Sequence, residues 1–174
     1  FTKEFAIGIV EDTAGVITDK FYTSVPTYAD KNYNTLSPPY FSYYTEDQDD
    51  DGNIEKFVFD IKVRATTTNI RSVNLALAFQ YNINDRLEEK MISLAFFQID
   101  APNGLGTVEA YGSLVLNQRD PINYSTKEVV EYNSNPLEKV LNASLVNMYS
   151  EYRTREEFTE FEGDIVAQTY GSPV

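Results

Sequence analysis

The apolar positions of this chain recur mostly with period two. In FVFDIKV (57–63), Phe57, Phe59, Ile61 and Val63 fall on one side, and Asp60 and Lys62 on the other. In VNLALAFQY (73–81), Val73, Leu75, Leu77, Phe79 and Tyr81 share a side opposite Asn74 and Gln80. This alternation is the mark of a half-buried strand. MISLAFFQI (91–99) is apolar on both sides and predicts a central strand. FAIGIVE (5–11) and VITDKFYTSV (16–25) predict a first hairpin around Asp12–Gly15. TVEAYGSLVL (107–116) predicts a weaker strand with a bulge at Gly112, and DIVAQTY (164–170) a last strand. The Tyr-rich segment 28–44, with two prolines, is expected to form an ordered loop over the sheet edge.

One segment changes period. Apolar residues recur at Leu137, Val140, Leu141, Leu145, Met148, Tyr149 and Tyr152, which is helical spacing. Asn135 as N-cap, Pro136 in the first position and Glu138 three residues after the cap predict where it starts. The expected helix runs over about 136–155, with its stripe packed on a sheet. Ser37-Pro38-Pro39 and Ala101-Pro102-Asn103-Gly104 supply breaks between strands. The length of 174 residues suits one domain with a real core. The predicted fold is mainly β: a single antiparallel β-sandwich domain over 1–174 with one amphipathic α-helix packed against it.

Charge narrows the partners. The formal net charge is −13, so the surface repels phosphates and anionic headgroups, and no nucleic-acid partner is expected. There is no Cys and no His. Disulfides, thiolate chemistry and His-based triads are therefore excluded. A metal site here must be built from oxygen ligands, which points to calcium or magnesium.

The acidic stretch TEDQDDDGNIE (45–55) has that character. Asp47, Asp49 and Asp51 occupy positions 1, 3 and 5 of a loop whose sixth residue is Gly52. Alternate residues in such a turn converge on one point. The carbonyl of Asn53 would stand at position 7 and Glu55 at position 9. An EF-hand requires a Glu at position 12, where this chain has Val58, and a helix on each side. The reading is therefore a calcium loop between strands, with Asp47, Asp49, Asp51, Asn53 and Glu55 as ligands and a structural role for the ion. Without a cation, each like-charge pair at ~4 Å costs about 4 kcal/mol at an effective dielectric of ~20. The alternative is a solvated acidic turn.

Asn123-Tyr124-Ser125 and Asn142-Ala143-Ser144 are N-glycosylation sequons, making Asn123 and Asn142 candidate glycan sites. The acids Glu156, Glu157, Glu160 and Glu162 are expected as a solvated face at a helix end. Nothing marks them as a glycosidase pair, and no catalytic residue is expected.

The ordered series FYTSVPTYADKNYNTLSPPYF (21–41), TEDQDDDGNIEKFVFDIKV (45–63), VNLALAFQYNIND (73–85), MISLAFFQI (91–99) and GTVEAYGSLVLNQRDPI (106–122), followed by an amphipathic helix, resembles the luminal or extracellular domain of the transmembrane protein 231 family. That resemblance implies a non-enzymatic domain of a two-pass ciliary membrane protein. Its place would be the outer face of the ciliary membrane at the transition zone, in a gate complex with tectonic and B9-domain partners. The family's acidic loop carries over onto Asp47, Asp49, Asp51 and Glu55. The membrane spans it implies lie outside this chain. Two alternatives stand beside it: a subunit of an extracellular ciliary-surface coat or filament, and a calcium-dependent carbohydrate-binding sandwich in which tyrosines stack on sugars.

Overall fold

A computed structural model describes residues 1–25, 35–50, 54, 56–67, 69–84, 88–101, 103–119, 132–138 and 144–169. In order these form β1 (Phe5–Thr13), β2 (Val16–Thr23), β3 (Tyr40–Glu46), β4 (Lys56–Lys62), β5 (Ile70–Asn84), β6 (Glu88–Asp100), β7 (Thr107–Gln118), α1 (Leu145–Tyr152) and β8 (Glu157–Gln168). Every strand pairing is antiparallel. One four-stranded sheet has the order β2-β1-β5-β6, and β3–β4 and β7–β8 are two-stranded ribbons. The predicted first hairpin is present. Its turn places Ala14 at φ 53° and Gly15 at φ 86°, two positive angles that match the twist of the flanking strands.

The four-stranded sheet is covered on both faces, and side-chain size decides what covers each. The odd positions of β1, β5 and β6 carry large apolar groups: Phe5, Leu77, Leu75, Phe79 and Phe97. They meet Phe41, Phe59 and Ile61 of the β3–β4 ribbon, which forms the second layer of the sandwich. The even positions carry Ala6, Ala76 and Ala78, all fully buried. With Gly8 they make a flat platform, and a Cβ at Gly8 would stand 3.6 Å from Leu145 Cδ1. Leu145, Met148 and Tyr152 of α1 pack on this face. Burial of each contributes about 2 kcal/mol. That packing holds an eight-residue helix too short to persist alone in water.

Beyond β6, β8 lies alongside without a backbone ladder. Phe97 and Phe161 bring their ring centroids to 4.6 Å. Side chains replace the missing ladder. Leu94 N–H and Thr159 N–H both donate to the Tyr152 hydroxyl oxygen, at 3.2 and 2.8 Å. The Thr159 hydroxyl donates to Leu94 O at 2.9 Å, and Arg155 donates to Ile92 O at 3.2 Å. An exposed sheet edge is thereby closed.

Several expectations are corrected. MISLAFFQI lies in the last strand of the hydrogen-bonded order, not a central one. It is apolar on both sides because the ribbon covers one face and α1 the other. Of the segment 28–44 expected as loop, residues 40–44 belong to β3. Gly112 is not at a bulge: it pairs in register with Gly163. A Cβ on Gly112 would lie 2.2 Å from Glu162 O, and one on Gly163 2.1 Å from Tyr111 O, so the two strands approach more closely than any side chain permits. The last strand starts at Glu157, and Glu157, Glu160 and Glu162 belong to it rather than to a helix end.

The helix also differs from the expected 136–155. Asn135 caps a 3-10 turn that the described residues show at 136–138, its Oδ1 accepting from Leu137 N–H at 2.9 Å. The α-helix begins afresh after Ser144, whose ψ of 154° is extended and whose hydroxyl accepts from Asn147 N–H at 3.2 Å. Leu137 nonetheless joins Leu145, Met148 and Tyr152 in one core. Val140 and Leu141 lie outside the described residues.

Candidate metal site

The acidic loop is the tip of the β3–β4 ribbon. The ribbon is fixed to the sheet by aromatic contacts. Phe41 stacks on Phe5 with centroids 4.2 Å apart and planes at 12°, and Phe57 and Phe59 meet Phe79 edge-on at 5.4 and 6.0 Å. Each such pair adds about 1 kcal/mol beyond its area burial. The seven-residue register from Tyr40↔Lys62 to Glu46↔Lys56 runs without a slip to the neck of the loop. There Lys56 Nζ donates to Glu46 Oε2 at 2.8 Å. This bond holds the Lys56 ammonium above its ordinary pKa. At the opposite end Lys62 pairs with Asp60 at 3.0 Å and sits 5.2 Å from the Tyr40 ring centroid. The ribbon's two lysines are thus engaged along its arms, and the acids accumulate at the tip.

The loop therefore leaves a closed neck at Glu46 and returns to it at Lys56. Asp47 is half-buried at the neck, and Asp49 and Asp50 are exposed. Asp50 has φ 58°, a left-handed conformation that Asp tolerates and that turns the chain sharply. Asp51, Asn53 and Glu55 of the predicted ligand set, with Gly52, lie outside the described residues. Among the described residues, no group of three carboxylates gathers to hold a metal ion. The structure thus places Asp47 and Asp49 on one short turn at the ribbon tip. What their oxygens suit is a hard cation. Asn123 and Asn142 also lie outside the described residues.

Sequence reasoning missed the Tyr152–Thr159–Leu94 junction and the buried Glu11. Glu11 accepts from Thr66 N–H at 3.0 Å and pairs with Lys20 at 2.9 Å. A fully buried acid within an alternating strand, opposite Thr18 in the register, carries no local signature.

Fold and tip together define an antiparallel β-sandwich domain that presents an oxygen-rich loop at the end of an anchored ribbon. A family model described as Transmembrane protein 231 matches residues 9–172, and the chain belongs to that family of membrane proteins. It is similar to Transmembrane protein 231 of Xenopus tropicalis, 30% identical over 130 residues, which is 71% of this chain and 41% of that protein. It is also similar to Transmembrane protein 231 of Gallus gallus, 26% identical over 144 residues, 80% of this chain and 45% of that protein. The chain spans less than half the length of these relatives. No solved structure matches it. Among the described residues, no helix is long and apolar enough to cross a membrane.

Proposed function

We propose that this chain is the non-enzymatic extracellular, or luminal, domain of a ciliary membrane protein. Its role would be within the transition-zone gate complex, with calcium bracing the 47–55 loop. The family match over residues 9–172 carries this reading. The anchored ribbon supports the calcium half, because a closed neck holds the loop ends together at no further entropic cost. The partners are other proteins of that membrane complex, reached from the outer face.

Tagged full-length protein in ciliated cells tests the location. It is expected in a narrow band at the ciliary base, and an even spread over the plasma membrane refutes the proposal. Calcium is tested by calorimetry. At ~100 times its dissociation constant, the ion stabilises by about 2.7 kcal/mol. That raises Tm by roughly 5–10 °C for a chain of this size. Asp49→Asn and Asp51→Asn are expected to remove the shift. Equal melting in calcium and in chelator refutes the ion.

A second reading, a subunit of an extracellular assembly, is favoured by the outer half of the β7–β8 ribbon. There Tyr111, Ile165 and Val166 are 66%, 40% and 50% exposed. Native mass spectrometry separates the two readings: a concentration-independent monomer removes the second.

A further inference from the structure

On the α1 side of the sheet, an open groove of about 480 Å³ lies between the helix and the end of β7. Phe96 and Tyr149 form its floor, stacked with centroids 4.2 Å apart and planes at 17°. Gln98, Arg119, Ser150 and Arg153 rise around them. In a chain with 14 cations against 27 acids, two guanidinium groups share this groove, and among the described residues no acid lines it.

Both guanidinium groups are oriented by the fold. Arg119 donates one N–H to Arg153 O at 2.8 Å, and its own backbone N–H is held by Glu156 O at 2.8 Å. Arg153 lies 5.9 Å from the Tyr149 ring centroid and 5.9 Å from that of Phe158. One of its amino nitrogens meets Glu160 at 3.1 Å. Glu160 also accepts from Asn117 Nδ2 at 3.2 Å, so its charge is shared. The Arg153–Glu160 pair is half-exposed and weak, and a better-placed carboxylate can compete for Arg153. Burial, with Glu160 nearby, pushes the Tyr149 phenol up to about 12, so it remains a neutral hydroxyl beside the site. The Ser150 hydroxyl already donates to Val146 O at 2.9 Å and so presents lone pairs to a ligand's N–H groups.

We infer that this groove binds an acidic segment of a partner protein, with a partner carboxylate held by Arg119 and Arg153 over the Phe96–Tyr149 stack. A planar guanidinium is the side chain best matched to a carboxylate. The groove is open and polar, whereas small-molecule sites are enclosed and mostly apolar. Its occupant is therefore a piece of a larger surface. The inference stands apart from the calcium loop, which sits on the ribbon covering the sheet's other face.

The test is titration of the 174-residue chain with a short fluorescein-labelled peptide carrying paired Glu residues beside an aromatic residue. The readouts are anisotropy and amide NMR. The acidic peptide is expected to bind, to shift the amides of Phe96, Gln98, Tyr149 and Ser150, and to outcompete a Lys-for-Glu version. Arg119→Glu is expected to weaken binding about tenfold or more, as loss of a charged hydrogen bond does, and the helix-surface change Ser150→Glu is expected to weaken it by setting a like charge against the partner carboxylate. Both variants should melt like the parent, and Arg64→Glu, elsewhere on the surface, should bind like the parent. No binding of the acidic peptide, equal binding by parent and Arg119→Glu, or shifts confined to other residues overturns the inference.

Discussion

Replacing Tyr152 by Phe removes one oxygen and leaves the ring. The ring's partners remain: Phe158 edge-on at 6.3 Å, Tyr149 at 6.0 Å and the Arg155 guanidinium at 5.0 Å. No large cavity forms, so any loss of stability reports the hydroxyl. The protons of that junction can be assigned without seeing them. Leu94 N–H and Thr159 N–H are donors only, so the Tyr152 oxygen accepts both. Its own proton must then go to Thr159 Oγ1, 3.0 Å away. The Thr159 proton must go in turn to Leu94 O at 2.9 Å. Tyr152→Phe therefore leaves two buried backbone N–H groups and one hydroxyl acceptor without their partner. Each stranded buried group costs about 1–3 kcal/mol, and partial relaxation brings the sum to roughly 3 kcal/mol. In a domain of this size that lowers Tm by about 6–12 °C. Thr159→Val, close in shape, should cost similarly by stranding Leu94 O. The double variant should cost less than the sum, with a coupling of about 1–2 kcal/mol. Hydrogen exchange should show the Leu94 and Thr159 amides opening in Tyr152→Phe. A Tm loss under about 2 °C, or strict additivity, would refute the idea that this hydroxyl joins β8 to β6.

Two further outcomes follow from the same geometry. Gly163→Ala places a Cβ 2.1 Å from Tyr111 O and 2.5 Å from Gly112 Cα, both backbone atoms, so a loss of about 2 kcal/mol or more is expected in denaturant melts; unchanged stability would show that the strands can move apart there at no cost. At Glu11, burial pushes the carboxyl up, but hydrogen bonds from Thr66 and Lys20 outweigh it and hold the folded value below the ordinary 4.5. A depressed folded pKa contributes stability that is present above the ordinary value and lost as pH falls through the folded one. Tm should therefore drop through the acid range below 4.5, and Glu11→Gln should be less stable at neutral pH with a shallower acid slope; an identical slope in both proteins would assign that acid sensitivity to other carboxylates.

What the sequence made legible, and what it hid, depends on how many faces a strand buries. β4 and β5 were readable because large apolar residues alternate at Phe57, Phe59 and Ile61 and at Val73, Leu75, Leu77 and Phe79, with mostly small or polar residues between them. β3 was hidden because YFSYYTE is aromatic on both sides: Phe41 is turned inward, while Tyr40 and Tyr44 stay 57% and 56% exposed. The first half of β8, before the predicted 164–170, was hidden for a sharper reason. Phe158 and Phe161 are three apart, a helical interval, yet in the strand they serve opposite faces. Phe158 joins the α1 core and Phe161 meets Phe97. The helix was legible in composition but not in its start, because Asn135 and Ser144 are both competent caps and each begins its own turn. The acidic loop was read from spacing alone. The structure adds the anchored ribbon beneath it, while Asp51, Asn53 and Glu55 lie outside the described residues.

The same alternation that organises the core also separates two charges. Odd positions of the sheet carry the ribbon whose tip concentrates Asp47, Asp49 and Asp50, and even positions carry α1 and the groove of Arg119 and Arg153. A sheet packed on both faces stands between them, so neither patch can reach the other within one molecule. Exposed charges more than about 10 Å apart are largely screened from one another at physiological salt. A cation at the tip and a carboxylate in the groove would therefore bind as independent events. If they prove coupled, the coupling must pass through the sheet, and the Tyr152 junction between β6 and β8, at the end of α1, is the point to perturb first.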